Sequence, residues 1–206
     1  MSRSAEAGKT HVLTQNPTET HPSYIALVDF GERLRAATDG RWDIKVYPNE
    51  TLGAQQEVIQ LVSDGSVDMA VASGTQLENL NPDFGVLNLP TVFDDVDHQM
   101  RVLHDPSIVG GLFSSLEASN NLTVLGGLTQ GDRNLYTTRG PIETPRDLAG
   151  MKIRVQESDV AIAMVNAMGG SATPMSFGEV YTALQSGVLD GAENNEVSYV
   201  TQKHNE

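Results

Sequence analysis

Arg154 is the residue whose type and setting best suit chemistry. It lies near the end of a short apolar run, Met151 to Val155 (MKIRV). In α/β sheets, ligands sit beyond the carboxyl ends of strands. An arginine there can fork onto a carboxylate with two parallel hydrogen bonds, which lysine does not match. The competing reading is an arginine paired with an internal acid. Asn194 and Asn195 close a second strand-like run. Their amides could donate to carboxylate or hydroxyl oxygens, or simply cap a helix. Phe177 could wall a pocket, although a phenylalanine at helical spacing also fits a core.

Arg133 opens a window, residues 131–154, that holds Arg133, Arg139, Arg146, Lys152 and Arg154 against Asp132, Glu143 and Asp147. The whole chain carries −14, so this window is a local positive island. It could draw an anion, because salt screens remote charge over about 8–10 Å. Chance clustering on a solvated face is the plain alternative. Other chemistry finds little support. His98 and His104 are six residues apart and do not share a helical face, which argues against a metal site. No GxSxG, HExxH, Walker, GxGxxG or EF-hand pattern occurs. The Gly-Gly pairs at 110, 126 and 169 are too sparse for phosphate cradles. There is no cysteine, so thiol, disulfide and zinc-thiolate chemistry are absent.

Two α/β lobes are expected to carry these residues. Residues 11–15 read as a strand, 23–37 as a helix, 42–47 as a strand, 54–64 as a helix and 67–72 as a buried strand. This β-α-β-α-β order implies a parallel sheet. Helices near 94–104 and 107–119 then lead to a strand at Leu122–Leu125. From about Gly131 the pattern restarts. Asn134–Thr138 is strand-like, and Thr144-Pro145 opens a short turn. Met151–Val155 is a strand and 160–168 a helix. Ser176 and Glu179 form a capping box, opening a helix with Phe177, Val180, Tyr181 and Leu184 on one stripe. The expected division is 1–130, with 1–10 disordered or processed, and 131–206.

An echo links the two parts. Residues 57–71 (EVIQLVSDGSVDMAV) and 179–193 (EVYTALQSGVLDGAE) share Glu, Val, Gly, Asp and Ala at equal offsets. Either one α/β plan is duplicated, or any helix–Gly–strand unit looks this way. Two such lobes would form a cleft, where small ligands bind.

Bulk properties agree with a soluble globular protein of 206 residues, 39% hydrophobic and 19% charged. The acidic balance argues against nucleic acid, which needs a basic face. No apolar run approaches the roughly 20 residues of a membrane helix. The first residues, MSRSAEAGKT, contain no apolar signal region. The chain is therefore either cytoplasmic or has had a signal removed. TQKHNE stops inside a helical pattern with no stop signal, so the chain reads as cut at its C-terminus.

Three stretches carry a family resemblance. They are YPNETLGAQQEVIQLVSDGSVDMAVAS, LNLPTVFDDVDHQMRVL and, most specifically, LAGMKIRVQES…GGSATPMSFGEVYTALQSGVLDGAENN. The chain resembles the solute-binding subunits of tripartite ATP-independent periplasmic (TRAP) transporters over nearly its whole length. The resemblance implies a two-lobed periplasmic-binding-protein-like (type II) α/β fold with a ligand cleft between the lobes, incomplete here at the C-terminus. It implies a monomeric, cofactor-free, non-enzymatic protein of the periplasm or another extracytoplasmic space. That protein would deliver an organic anion (a C4-dicarboxylate, keto acid, or sugar acid such as a uronate) to TRAP membrane subunits. By the same resemblance Arg154 clamps the carboxylate, Arg133 assists, and Asn194 and Phe177 line the site. Ser73 joins them from the first lobe. Two other readings stay open: an α/β enzyme acting on a carboxylic acid, with Glu193 the one available base, or a sensor domain on the same scaffold.

Overall fold

In a computed structural model, the structure describes residues 9–206. Residues 1–8 of the segment expected to be disordered or processed therefore lie outside the described residues. Lys9 and Thr10 instead begin the first strand, β1 (Lys9–Gln15). The chain divides into two compact units, Met1–Ala72 and Ser73–Glu206.

The first unit continues with α1 (Pro22–Ala37), β2 (Trp42–Tyr47), α2 (Gln55–Ser63) and β3 (Met69–Val71). Local chemistry sets the start of α1. His21 caps it by accepting from the Ser23 amide at 3.2 Å, and Pro22 holds the first helical position, where its missing N–H costs nothing. The strands form a parallel sheet in the order β2-β1-β3, as the alternation of elements requires.

The second unit begins with α3 (Gly74–Leu77) and a 3₁₀ turn at Pro82–Asn88. Then come α4 (Val96–Leu103), α5 (Pro106–Ser114) and α6 (Glu117–Asn120). The helix expected over 107–119 is thus broken, with Leu116 fully buried at the break. The remaining elements are β4 (Asn134–Thr137), β5 (Lys152–Val155), α7 (Asp159–Ala167), β6 (Ser171–Pro174), α8 (Val180–Gln185), β7 (Gly191–Asn194) and α9 (Glu196–Thr201). The sheet order is β4-β7-β5-β6, with only β4 antiparallel to its neighbour. One face buries Ile153, Val155, Leu148 and Val165. The other packs Ala192 against Phe177 and Val180, with Tyr136 and Leu184 at the margin.

Two expectations change. Leu122–Leu125 forms no strand, and Leu125 is 82% exposed. Apolar β-formers alone do not make a strand; a ladder partner is needed, and among the described residues none pairs there. The contact boundary also falls at Ala72–Ser73, well before the restart of the sequence pattern at Gly131. Side chains of the 74–78 segment explain the early boundary. Thr75 bonds Gln156, and Glu78 accepts from the Ser158 hydroxyl at 2.7 Å and the Val160 amide at 3.2 Å.

The echo extends to the hydrogen bonds. In the first copy Ser66 N and Val67 N both donate to Leu61 O, at 2.9 and 3.1 Å, after Gly65 at φ 77°. In the second, Val188 N and Leu189 N both donate to Ala183 O, at 2.9 and 3.1 Å, after Gly187 at φ 73°. Glycine is the residue that adopts this left-handed turn without strain. Asp68 then accepts from Val12 N of β1 at 2.9 Å, and Asp190 from Lys152 N of β5 at 2.8 Å. Each aspartate precedes the strand that pairs with the one it grips. The units β1-α1-β2-α2-β3 and β5-α7-β6-α8-β7 repeat one plan, with sheet orders β2-β1-β3 and β6-β5-β7.

A pH dependence follows. The Val12 amide, with His11 and Lys9, holds the Asp68 carboxyl down at about 2. The Lys152 amide, with Arg139, lowers Asp190. A depressed carboxyl contributes stability above its unfolded value near 3.8 and loses it as pH falls through the folded value. Acid unfolding should therefore steepen between about pH 4 and 2. Asp68→Asn and Asp190→Asn should flatten that limb in urea titrations run across this range. An unchanged acid limb in both variants would mean that neither aspartate carries the effect.

Candidate functional site

Strand alternation places Arg154. Ile153 and Val155 point into the core, so Arg154 between them faces the other side of the sheet. The register aligns Tyr136, Ala192, Arg154 and Thr173 in one row across β4, β7, β5 and β6. Small Ala192 separates the two large members of that row. Arg154 is 3% exposed and lies on the face that packs Ala192, Phe177 and Val180, away from the Ile153 and Val155 cluster. Its Nε donates to Met175 O at 2.9 Å, and its guanidinium carbon lies 5.8 Å from the Phe177 ring centroid. That distance is within cation–π range, about 6 Å. Phe177 belongs to the 3₁₀ turn Phe177–Glu179, which Ser176 steadies through a 2.6 Å bond to Glu179.

An aromatic layer completes this face. The Tyr136 hydroxyl meets His204 Nδ1 at 2.7 Å, Tyr136 packs edge-on to Tyr199 at 4.8 Å, and His204 edges Phe177 at 5.9 Å. Burial pushes the Tyr136 phenol well up, against the pull of Arg154. Burial, with the Arg154 charge adding to it, pushes the His204 imidazole down to about 4. Both groups are therefore neutral near pH 7 and leave the Arg154 charge uncancelled from their side.

Arg133 behaves differently. Its Nε and one terminal nitrogen fork onto the buried Glu193 carboxylate, the latter at 2.9 Å. The same nitrogen donates to Glu193 O at 3.0 Å, and the other terminal nitrogen to Asn194 Oδ1 at 3.4 Å. Arg139 likewise pairs with Asp190. Acids from outside the 131–154 window thus offset two cations of the positive island. Arg133 is thus an arginine paired with an internal acid.

Asn194 Oδ1 also accepts from Asn195 N at 2.9 Å and Asn195 Nδ2 at 3.1 Å. Donors crowd the oxygen, which fixes the amide orientation. Among the described residues nothing accepts from Asn194 Nδ2, so this group is presented as a fixed donor. Asn195 has the capping role: its Oδ1 receives Ser198 N at 2.8 Å. A cavity of about 290 Å³ opens beside Asn194, lined by Asn134, Tyr136, Asn194, Glu196 and Tyr199. Arg154 and Phe177 are outside its lining; Tyr136 joins the cavity to the arginine's row.

Ser73 is the first residue of the second unit rather than part of the first. Its hydroxyl bonds Thr75 Oγ1, which donates in turn to Gln156 Oε1. The five expected residues therefore fall into an Arg154–Phe177 pair, an Arg133–Asn194 pair bridged by Glu193, and Ser73, tied through Thr75 to the residue following β5. Tyr136, His204, Tyr199 and Gln156 were not anticipated. Alternation along β5 gives Gln156 the phase of Arg154, which is a readable signal. No comparable pattern marks the other three.

Residues 13–206 match the model of the family described as bacterial extracellular solute-binding protein, family 7. A solved TRAP periplasmic solute-binding protein from Anaerococcus prevotii, with bound D-glucuronate, is similar at 39% identity and TM-score 0.91. The alignment covers 95% of this chain and 63% of that one. A second, from Xanthobacter autotrophicus with bound β-D-galacturonate, has 36% identity and TM-score 0.89, covering 94% and 64%. The 2,3-diketo-L-gulonate-binding periplasmic protein of Escherichia coli is 33% identical over 193 residues, 94% of this chain and 58% of the relative. The α/β periplasmic-binding-protein fold expected from the sequence is the fold of these neighbours. The chain spans 55% and 61% of the length of two curated relatives it matches and 63% of the Anaerococcus prevotii protein.

Proposed function

This chain belongs to family 7 of the bacterial extracellular solute-binding proteins, and we propose that it captures a sugar acid, of the hexuronate type, for a TRAP transporter. Arg154 is the observation that carries the reading. It is a buried guanidinium on the sheet face opposite Ile153 and Val155, oriented by Met175 O and the Phe177 ring, with neutral Tyr136 and His204 nearby. Charge-assisted hydrogen bonds to a carboxylate there contribute about 1.5–3 kcal/mol each. Asn194 Nδ2 serves as a donor to ligand oxygens. Arg133, matched by Glu193, holds the Asn194 oxygen and so fixes that donor. Phe177 offers an apolar surface to a sugar ring, and Ser73 supports the far end of the site through Thr75. Ligands bound to similar proteins, glucuronate and galacturonate, favour a uronate over a C4-dicarboxylate.

The protein works as a monomer outside the cytoplasm and passes its ligand to membrane subunits. No helix among the described residues is long and apolar enough to cross a membrane. The role is capture without turnover. Glu193, the acid that the sequence offers as a base, is chelated by Arg133 and poorly placed for that role.

A thermal-shift screen tests the proposal. D-Glucuronate or D-galacturonate at 100 times its Kd contributes about 2.7 kcal/mol to the native state. For a chain of this size that raises Tm by about 5–10 °C. D-Glucose, which lacks the carboxylate, should not shift it. Equal shifts with glucose, or none with any organic acid, would remove the carboxylate-capture reading.

A further inference from the structure

Gln156 is a buried amide that the proposed function leaves without a role. It is 7% exposed, and it is the next residue in phase with Arg154 beyond the end of β5. Its Oε1 is taken by the Thr75 hydroxyl. Thr75 has a single proton, so the Ser73 hydroxyl is the donor in the Ser73–Thr75 bond. The chain Ser73–Thr75–Gln156 therefore runs in one direction and ends on a carbonyl oxygen. That leaves the two N–H groups of Gln156 Nε2, and among the described residues nothing accepts from them. With its oxygen tied down, the amide keeps its N–H groups for an acceptor that comes to it.

We infer that Gln156 reads an oxygen substituent of the ligand close to its carboxylate, with Thr75 as the positioning residue that aims it. The inference rests on the Arg154 reading above, since Arg154 fixes where the carboxylate lies. Residues two apart on a strand are separated by about 6.6–6.8 Å along it. A carboxylate gripped by Arg154 therefore puts the first carbons of the ligand, and the oxygens they bear, next in line toward Gln156. The ligand class this selects is a carboxylic acid with a hydroxyl, keto or ring oxygen near the carboxyl carbon. An acid without that oxygen leaves the amide donors unpaired, and sites built for a hydrogen bond reject such analogues strongly.

The test compares two ring acids by calorimetry: D-glucuronate, and cyclohexanecarboxylate, which has the ring and carboxylate but no other oxygen. In Gln156→Leu, glucuronate affinity should fall about ten- to thirty-fold, while cyclohexanecarboxylate affinity stays as in the parent protein. Thr75→Val should reduce the preference for glucuronate by a smaller factor, about three- to ten-fold. Thr75→Ser, which keeps the hydroxyl, should restore it. Unchanged glucuronate affinity in Gln156→Leu overturns the inference and leaves the Arg154 reading intact. Equal losses for both acids also overturn it, assigning Gln156 to the carboxylate or to the scaffold. If the parent protein binds neither acid, the Arg154 reading falls and takes this one with it.

Discussion

Arg154→Ala is expected to weaken hexuronate binding by about 2–5 kcal/mol, the usual cost of stripping a buried charge of its partner. At about 1.4 kcal/mol per tenfold, that is a loss of roughly 30-fold to several thousand-fold. The magnitude follows from the site. Arg154 is nearly inaccessible, so water does not substitute well for the lost guanidinium. Tyr136 and His204 are neutral, so no neighbouring cation on that aromatic layer takes over. Arg133 is no replacement, because its fork is spent on Glu193. Arg154→Lys should recover only part of the loss, since an ammonium gives no bidentate pair and no planar stacking on Phe177. Calorimetry with D-glucuronate measures both variants. Affinity within twofold of the parent in Arg154→Ala would place the carboxylate elsewhere.

The largest effect on stability is expected from Gly191→Ala. Gly191 opens β7, which lies between β4 and β5, opposite Thr137 and Ile153. A Cβ there would stand 2.4 Å from Tyr136 O, 3.0 Å from Thr137 Cγ2 and 3.1 Å from Ile153 Cδ1. The nearest obstacle is backbone oxygen of a paired strand, which cannot rotate away. Overpacking of this kind costs about 1–3 kcal/mol, more where backbone must move, so we expect about 3 kcal/mol. Tm should drop by about 6–12 °C. Because Gly191 adjoins Ala192 in the Arg154 row, ligand affinity should fall as well. Gly126→Ala meets nothing within 4 Å and should leave Tm nearly unchanged. A Gly191→Ala protein as stable as the parent would mean that β4 and β7 separate at little cost.

Much of this was readable from local pattern. Arg154 stood out because a charged residue interrupts an apolar strand, and a strand's two faces alternate without reference to anything distant. Gly65 and Gly187 marked helix ends because a left-handed turn has its own residue preference. The five-residue echo pointed to a repeat that the hydrogen bonds of Asp68 and Asp190 then fill out. The strand expected at Leu122–Leu125 shows the limit of such reading, since propensity describes a residue's fitness for a ladder and supplies no partner.

Periodicity and caps were enough to specify the parallel first sheet and the arginine on a strand, but not β6 (Ser171–Pro174) or the break between α5 and α6. What they specified depends on residues within one or two turns of each other. Folding in three dimensions supplied the rest. Arg133 meets Glu193 sixty residues away, and Thr75 meets Gln156 eighty-one away. Those meetings depend on the strand order β4-β7-β5-β6 and on which loop lies beside which strand end. Neither leaves a periodic mark in the chain. The orientation of an amide is set by the donors that happen to surround its oxygen, so only the folded chain shows that the oxygens of Asn194 and Gln156 are taken.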